Sequence, residues 1–307
     1  MFIQIFRLAF FIAVWLIVCY FIWIFQTHSD FCGYTMSLLP EDYQAKVVEI
    51  QSNDSVSIQQ LTITSDNGYL LEAYIKNPKS SHKLPGIILL GGMMTGKMAI
   101  EYAYDVNNVI LISPDYPYKV RYHYGFFDIM GDLIKARNAL YYQVRDNIVL
   151  IDFLSHWESI DTTNIGIIGY SFGVPFALAT ASVYPKLAHL ALVYGGANLR
   201  YLIDKNLKLF NPSVDKLFAY LFWIHVMDFE PVRHARNINA LPMIIINGKN
   251  DEKIPYKSAE ELQNSFNFEK EVVWIPSAHV NPRNKKLNIE IIRILKKWYE
   301  SKDFITN

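Results

Sequence analysis

The pentapeptide GYSFG at residues 169–173 constrains this chain more than any other segment does. It follows the short apolar run Ile165–Ile168 and precedes an alanine-rich segment, residues 174–184, with helical spacing. A serine between two glycines in that context predicts a sharp turn from a buried strand into a helix, because a Cβ at either flank would collide with the neighbouring strand or helix. We therefore expect Ser171 to lie exposed at the carboxyl end of a strand, beside a helix N-terminus.

Short apolar runs bounded by Gly, Pro, Asn or Asp recur along the chain. They are Gly86–Leu90, Val109–Ile112, Ile165–Ile168, Leu190–Val193, Met243–Ile246 and Val272–Ile275. Segments with helical spacing lie between them, at about 127–156, 173–184, 257–266 and 286–301. Continuous apolar runs are typical of strands buried on both faces, so the alternation predicts a mostly parallel, doubly wound α/β sheet. Before it, Ser57–Thr64 and Tyr69–Ile75 flank Asp66-Asn67-Gly68, which predicts an antiparallel hairpin.

Residues 1–30 have the composition of a membrane segment. Leu8–Phe25 is an uncharged apolar run of about 18 residues, which as a helix would span about 27 Å, close to the hydrocarbon thickness of a bilayer. Arg7 precedes the run and polar residues follow it, so the positive-inside rule predicts that the rest of the chain lies outside the cytoplasm. The length of the run and the lack of an A-x-A site favour an uncleaved, single-pass anchor over a cleaved signal peptide.

Two further segments place polar residues at the ends of predicted strands. Asp251 follows the run MIIINGKN, and His279 lies in a loop after the last predicted strand. A serine hydroxyl needs a base to take its proton, and an imidazole needs a carboxylate to hold its tautomer. The alternative bases are His189, His225 and His234, and the alternative acids are Glu252 and Asp228. None of these three histidines follows the last predicted strand, which favours His279.

The motif and the order Ser171, Asp251, His279 resemble the α/β-hydrolase superfamily over roughly residues 57–301. The pattern is nearest to dienelactone-hydrolase-like and short-lid serine esterase members. The resemblance implies that Ser171 is the nucleophile, that His279 is the general base, and that Asp251 orients the imidazole.

The resemblance also implies an oxyanion hole made of two backbone N–H groups. One belongs to Phe172, the residue after the nucleophile, and the other to the loop after the run Gly86–Leu90. By its spacing we assign the second donor to Met93, with Met94 as the alternative. The sequence has a Gly-Gly pair at residues 91–92 where the family often has a His-Gly pair.

Several other functions find little support in the sequence. Residues 91–97, GGMMTGK, nearly spell a phosphate-binding loop, but Met98 stands where a Ser or Thr hydroxyl should bind Mg²⁺. The two cysteines, Cys19 and Cys32, form no metal-binding pattern. Basic and acidic residues balance at 29 each, which gives no electrostatic reason to expect nucleic acid. We expect no metal, no organic cofactor and no nucleic-acid partner.

Two segments between predicted strands are candidates for shaping a substrate pocket. Residues 115–125, DYPYKVRYHYG, combine aromatic and basic side chains and suit a binding loop and a packed surface loop equally. An insertion over about 197–232 contains the apolar stretch Leu217–Met227, which predicts a lid or a buried core helix. The predicted organisation is an anchor at 1–30, a connector at 31–56 and one α/β-hydrolase domain at 57–303 that carries the lid.

The predicted function is hydrolysis of a carboxylic ester of a small-molecule or acyl substrate through an acyl-enzyme. A peptidase, an amidase or a thioesterase on the same triad stays open, because the sequence does not reveal how the leaving group is protonated. A non-catalytic binding module on a hydrolase scaffold is the alternative from another class, since fold does not establish function. A structural membrane protein with one span is the third. Neither demands three catalytic residue types in this order, which favours the enzyme.

Overall fold

The computed structural model describes residues 2–93, 95–103, 106–117, 126–208 and 211–305. The strands are β1 Gln44–Ser52, β2 Val56–Thr64, β3 Leu70–Pro78, β4 Leu84–Leu90, β5 Ile110–Pro114, β6 Ile160–Tyr170, β7 His189–Val193, β8 Met243–Gly248 and β9 Glu271–Ile275. The α-helices are α1 Phe2–Ser29, α2 Phe31–Ser37, α3 Phe126–Ser155, α4 Val174–Val183, α5 Leu199–Asn206, α6 Pro212–Val226, α7 Pro231–Ala235, α8 Tyr256–Asn264 and α9 Lys285–Ser301. Short 3₁₀ helices lie at Gly96–Tyr102, Ser171–Gly173 and Met227–Phe229.

The strands form one nine-stranded sheet in the order β1-β2-β3-β5-β4-β6-β7-β8-β9. Strands β4 to β9 run parallel, and β1, β2 and β3 form an antiparallel extension in which β3 pairs with β5. Strands β4, β5, β7 and β8 are buried along their whole length, which is why their sequences are continuously apolar. The prediction of a mostly parallel α/β sheet is confirmed.

The antiparallel part begins earlier in the chain than the hydrophobic pattern indicates. β2 and β3 pair across the turn that ends at Gly68, whose φ of 85° favours glycine. Residues 31–56, predicted as a connector, contain α2 and β1, and β1 pairs with β2. Every residue of β1 is exposed, so this strand lacks the buried face that produces a recognisable apolar alternation.

The two faces of the sheet are covered unequally. On one face α3 and α4 pack over strand residues such as Ile88 and Ile167. On the other face α9 packs over the neighbouring residues of the same strands, such as Ile87 and Ile168. The described part of the connection from β4 to β5 adds only the 3₁₀ helix Gly96–Tyr102 to this second face. Its cover is therefore thinner than that of the first face.

Helix α1 carries the predicted membrane segment. Its part Phe10–Ser29 has a mean hydropathy of 2.1 and is long and apolar enough to cross a membrane. Only 12% of this part is buried, and large apolar side chains such as Phe11, Trp15 and Leu16 are exposed. By length and composition alone, α1 is a candidate span, and a signal sequence meets the same criteria.

The last turn of α1 is tied to the rest of the protein by buried charges, which we call the Asp228 cluster: Asp228, Arg137, Arg233 and His28. The carboxylate of Asp228 is fully buried, pairs with the equally buried guanidinium of Arg137, and accepts a hydrogen bond from the Tyr141 hydroxyl at 2.6 Å. His28, on α1, lies 2.5 Å from the same carboxylate through Nδ1, and its carbonyl accepts from Arg233. The cluster therefore joins α1 to α3 and α7.

Candidate active site

The GYSFG segment forms a tight strand-to-helix turn. Strand β6 ends at Tyr170, Ser171 has a φ of 51°, and α4 begins at Val174 after one 3₁₀ turn. A positive φ is costly for a residue with a side chain, and such strain is concentrated at functional sites. A Cβ on Gly173 would lie 2.3 Å from the carbonyl oxygen of Leu90 in β4. Only glycine fits there, so the motif is a requirement of the packing around Ser171.

Ser171, His279 and Asp251 lie in one hydrogen-bonded chain. The Oγ of Ser171 is 2.8 Å from Nε2 of His279, and Nδ1 of His279 is 2.6 Å from Oδ2 of Asp251. Because a carboxylate only accepts, Nδ1 carries the proton and Nε2 is free to accept the serine proton. The side chain of His279 is 12% exposed and that of Asp251 is 1% exposed, so both work in a largely dry environment.

The loop after β8 fixes the carboxylate of Asp251. Its second oxygen, Oδ1, accepts the backbone N–H groups of Lys253 at 2.8 Å and Ile254 at 2.9 Å. These bonds fix the position of the carboxyl group and leave Oδ2 aimed at His279. Glu252, the alternative acid, is exposed. The structure thus brings Asp251, and not its neighbour, to the imidazole.

The other alternative residues are engaged elsewhere. The ring of His225 donates to a backbone carbonyl, Nε2 of His234 donates to the carbonyl of Asp228, and Nδ1 of His189 lies 3.2 Å from a tyrosine hydroxyl. Burial lowers the pKa of His189 to about 3 and the pKa of His234 to about 4, so both rings are neutral at pH 7. The carboxylate of Asp228 belongs to the Asp228 cluster.

Tyr194 is a site residue that sequence reasoning missed. It follows β7 with a φ of 57°, and its ring lies edge-on to the ring of His279 with centroids 5.8 Å apart. Its hydroxyl bonds to Oγ of Ser277, two residues before His279. Tyr194 therefore braces the histidine loop against the sheet. The available signal was the Tyr-Gly-Gly at 194–196, which ends a strand at the same edge as Ser171.

Met93 lies in the turn after β4 and lines the same cavity as Ser171. The backbone N–H and the hydroxyl of Thr95 both donate to the carbonyl of Gly92, at 3.0 and 2.8 Å, which closes the turn around Met93. Met94, the alternative oxyanion donor, lies outside the described residues. The loop that carries Met93 is thus held next to Ser171 by its own hydrogen bonds.

Phe172 also lines this cavity, directly after Ser171 in the 3₁₀ turn that leads into α4. Its ring packs edge-on against those of Tyr116, at 5.3 Å, and Phe176, at 5.1 Å. The Tyr116 hydroxyl donates to the carbonyl of Gly91 at the end of β4. Tyr116 therefore links the two segments that carry the predicted oxyanion donors.

Lys97, the lysine of the alternative phosphate-binding loop, forms contacts with the neighbouring strand β3. Lys97 Nζ pairs with Glu72 at 2.7 Å and lies 5.0 Å from the ring centroid of Tyr74. Both partners belong to β3, the neighbouring antiparallel strand. The lysine of the phosphate-loop pattern is thus paired with a carboxylate of β3.

A cavity of about 900 Å³ opens beside Ser171 and His279. Helix α5, the first helix of the 197–232 insertion, contributes three residues to its wall: Leu199, Leu202 and Asn206. Among the described residues that line the cavity, none belongs to α6, which packs against α3 and α5. The stretch Leu217–Met227, considered as a lid, is therefore set back from the cavity, and α5 lies closer to it. Residues 118–125 of the other candidate segment lie outside the described residues.

Glu230 holds α5 over the cavity. Its carboxylate accepts the backbone N–H groups of Asn198 at 2.7 Å and Leu199 at 2.8 Å, at the N-terminus of the helix. Asn198 has a φ of 62°, so the chain turns sharply there. Burial raises the pKa of Glu230.

The sheet, the elbow and the order of the site residues define an α/β-hydrolase-like fold. Solved structures with this fold include an acetyl xylan esterase from Paenibacillus sp., with a TM-score of 0.64, 18% identity, and coverage of 86% of this chain and 92% of that one. Acetyl xylan esterase 1 from Thermoanaerobacterium sp. has a TM-score of 0.67, 14% identity, and coverage of 88% and 93%. At these identities the likeness establishes the fold alone.

Sequence comparisons point in the same direction. The model of a family described as Serine hydrolase (FSH1) matches residues 156–291, which include Ser171, Asp251 and His279. The chain is also similar to 2,6-dihydropseudooxynicotine hydrolase of Paenarthrobacter nicotinovorans, at 25% identity over 226 residues, 70% of this chain and 54% of that protein. The chain thus spans about half the length of that relative. Both similarities are to proteins described as hydrolases.

Proposed function

We propose that this protein is a serine hydrolase that cleaves a carboxylic ester through an acyl-enzyme. Ser171 is the nucleophile, His279 the general base and Asp251 the acid that orients the imidazole. The observation that carries the proposal is the chain of hydrogen bonds from Ser171 Oγ to His279 Nε2 at 2.8 Å and from His279 Nδ1 to Asp251 at 2.6 Å. Ser171 also has the positive φ that concentrates at functional sites, and a purely structural serine does not need it.

The proposed reaction has two steps. In the first, Ser171 Oγ attacks the ester carbonyl carbon while Nε2 of His279 takes the serine proton. The tetrahedral intermediate collapses, the bond to the leaving alkoxide breaks, and His279 returns the proton to it, which releases the alcohol and leaves Ser171 acylated. In the second step a water attacks the acyl carbon by the same proton route and releases the carboxylic acid.

The negative charge of the tetrahedral intermediate needs fixed hydrogen-bond donors. In this proposal they are the backbone N–H groups of Phe172 and Met93, which lie on the two sides of the cavity next to Ser171. Removing one such donor in a serine hydrolase typically costs about 100- to 1,000-fold in kcat. The bracing of both segments through Tyr116 supports donors that are in place before the substrate binds.

An ester is favoured over an amide because an alkoxide leaves more readily than an amine. The names of the two structural neighbours, both acetyl xylan esterases, support an ester in the same sense. Amides and thioesters are outcomes that the experiment below distinguishes.

We also propose that α1 anchors the protein in a bilayer, with the hydrolase domain outside the cytoplasm. The exposed apolar surface of Phe10–Ser29 supports this proposal, because such a surface is unfavourable in water. The Asp228 cluster joins the end of α1 to the domain, so the domain would sit directly on the membrane surface. Retention of the chain in alkali-washed membranes is the expected result, and release of a shortened chain would indicate a cleaved signal peptide.

Turnover of three matched substrates tests the proposed activity. The full chain in detergent is assayed with a p-nitrophenyl ester, the p-nitroanilide of the same acid and its thioester. We expect ester hydrolysis that falls by several orders of magnitude in Ser171→Ala and stays unchanged in Ser301→Ala, a control at an exposed serine. If only the anilide or only the thioester is turned over, the substrate class is an amide or a thioester and not an ester. Persistent activity in Ser171→Ala would refute the nucleophile, and a folded, inert wild type would favour a binding module.

A further inference from the structure

The cavity beside Ser171 extends far beyond the reacting groups, along the thinly covered face of the sheet. Its floor is formed by aliphatic residues of three adjacent parallel strands: Ile87 and Leu89 of β4, Val109 and Leu111 around β5, and Ile168 of β6. These side chains all belong to the core on the α9 face. We call this extension the sheet-face slot.

Helix α9 forms the opposite wall of the sheet-face slot. Five of its residues line the cavity and share one stripe at helical spacing: Asn288, Ile292, Leu295, Lys296 and Tyr299. The helix starts shortly after the His279 loop, so Asn288 lies at the catalytic end of the slot and Tyr299 at the far end. Ala99, Tyr102 and Ala103 of the 3₁₀ segment close one side.

The slot exists because the described part of the β4–β5 connection contains no α-helix that would cover the sheet. Parallel sheets usually have crossover helices packed on both faces. Here the described part of that connection offers only the 3₁₀ helix Gly96–Tyr102, which buries Ala99 and Ile100 and lines the slot with Ala99 and Tyr102. An aliphatic floor without a full helix above it leaves an elongated space.

The dimensions of the slot follow from regular backbone geometry. From Ile87 to Gly91, at about 3.3 Å per strand residue, the floor spans roughly 13 Å. From Asn288 to Tyr299, at about 1.5 Å per helical residue, the wall spans roughly 16 Å. An extended chain advances about 1.2 Å per bond, as an extended polypeptide does, so a length of roughly 13–16 Å matches about eleven to thirteen carbons.

We infer that the sheet-face slot binds an unbranched aliphatic chain of the ester substrate, with the carbonyl carbon at Ser171 and about eleven to thirteen carbons along α9. This inference rests on the proposed function and names the substrate class of the same site. The floor residues are almost fully buried, so the slot is narrow and suits a linear chain better than a ring. Its floor offers only aliphatic side chains, so an alkyl chain loses no hydrogen bonds against it, whereas the floor side of a sugar or peptide would. A fatty acyl ester and an acetate ester of a long-chain alcohol share this chemistry.

A chain-length series with a matched pair of variants tests the inference. The acyl arm uses p-nitrophenyl esters from acetate to dodecanoate, and the alcohol arm uses alkyl acetates of the same lengths. Ile292→Trp fills the slot from its half-buried wall, and Ile289→Trp makes the same change at a 37% exposed position of α9 that does not line the cavity. Ala103→Leu narrows the slot from the opposite side and serves if Ile292→Trp does not fold.

We expect kcat/KM of the wild type to rise with chain length in one of the two arms, by up to about fourfold per methylene before it levels off. Ile292→Trp or Ala103→Leu should lower kcat/KM for the decanoyl or decyl substrate at least about tenfold while the two-carbon substrate stays within about twofold. Ile289→Trp should leave the series unchanged. The arm that responds identifies the acyl or the alcohol chain as the occupant.

Two other results would count against the inference in different ways. Efficient turnover of acetate and butyrate with a decline beyond them, or slot variants that keep full activity on ten-carbon esters, would overturn the slot and leave the proposed function intact. Absence of ester turnover at every length in folded wild type, together with failure to label Ser171, would overturn the proposed function and the slot's role with it.

Discussion

Replacement of Asp228 by asparagine should destabilise the protein strongly, although Asp228 does not contact Ser171, His279 or Asp251. Its carboxylate and the guanidinium of Arg137 are both fully buried, and the same carboxylate contacts His28 and pairs with Arg233. The substitution leaves Arg137 in the interior without a counter-charge. Breaking a buried ion pair in this way costs about 3–5 kcal/mol. At about 2–4 °C per kcal/mol for a chain of this size, Tm should fall by roughly 6–20 °C.

Thermal unfolding of the full chain in detergent, followed by near-ultraviolet circular dichroism, measures this effect. Asp54→Asn removes a carboxylate at an exposed turn and should leave Tm unchanged. The double variant Arg137→Met, Asp228→Leu removes both charges and should recover much of the loss, because a well-packed apolar pair often replaces a buried ion pair without penalty. If Asp228→Asn unfolds within about 2 °C of the wild type, the assignment of Asp228 as the buried counter-ion of Arg137 is wrong.

Three further predictions concern the site and its surroundings. Asp251→Asn should lower kcat by roughly 10,000-fold because the amide favours the wrong imidazole tautomer, whereas Glu252→Gln should stay near wild type; equal losses would contradict the assigned acid. Gly173→Ala should abolish ester turnover and lower Tm, because its Cβ would lie 2.3 Å from the carbonyl oxygen of Leu90; a fully active variant would refute the packing argument. Burial lowers the pKa of His234 to about 4. Below pH 6.5 the unfolded chain therefore binds a proton at this ring that the folded chain does not bind. The free energy of unfolding falls as the pH falls from 6.5 towards 4. Denaturant unfolding should therefore lose about 2 kcal/mol more between pH 7 and pH 5 in the wild type than in His234→Asn, and equal losses would contradict this.

The parallel part of the sheet could be predicted from the sequence because its strands are buried on both faces. A strand such as Met243–Gly248 has no polar side to interrupt its apolar run, so the pattern and the structure coincide. The same holds for the elbow, where the packing of Gly173 against Leu90 demands the motif. Asp251 and His279 could be predicted from the sequence for a related reason, since each follows a predicted strand at the edge where Ser171 lies.

The remaining features depend on contacts that produce no periodic hydrophobic pattern in the sequence. All of β1 is exposed, so only its pairing with β2 makes it a strand. The hydroxyl of Tyr194 bonds to Ser277, which is distant in the sequence, so no local sequence pattern predicts that contact. The strongly apolar α6 was predicted as a lid or a core helix; its Phe218 and Phe222 pack with Leu133 of α3, and the less apolar α5 borders the cavity. The sheet-face slot reflects a helix that the β4–β5 connection lacks in its described part.

Mass spectrometry of the full chain after reaction with a fluorophosphonate tests directly whether Ser171 is an activated nucleophile. Such a reagent phosphonylates only a serine whose proton is taken by a neighbouring base, and Ser171 lies 2.8 Å from His279 Nε2. We expect a single adduct on Ser171 in the wild type, its loss in Ser171→Ala, and a strongly slowed reaction in His279→Asn. An adduct on a different serine, or none on a folded chain in detergent, would contradict the assignment of Ser171 as an activated nucleophile.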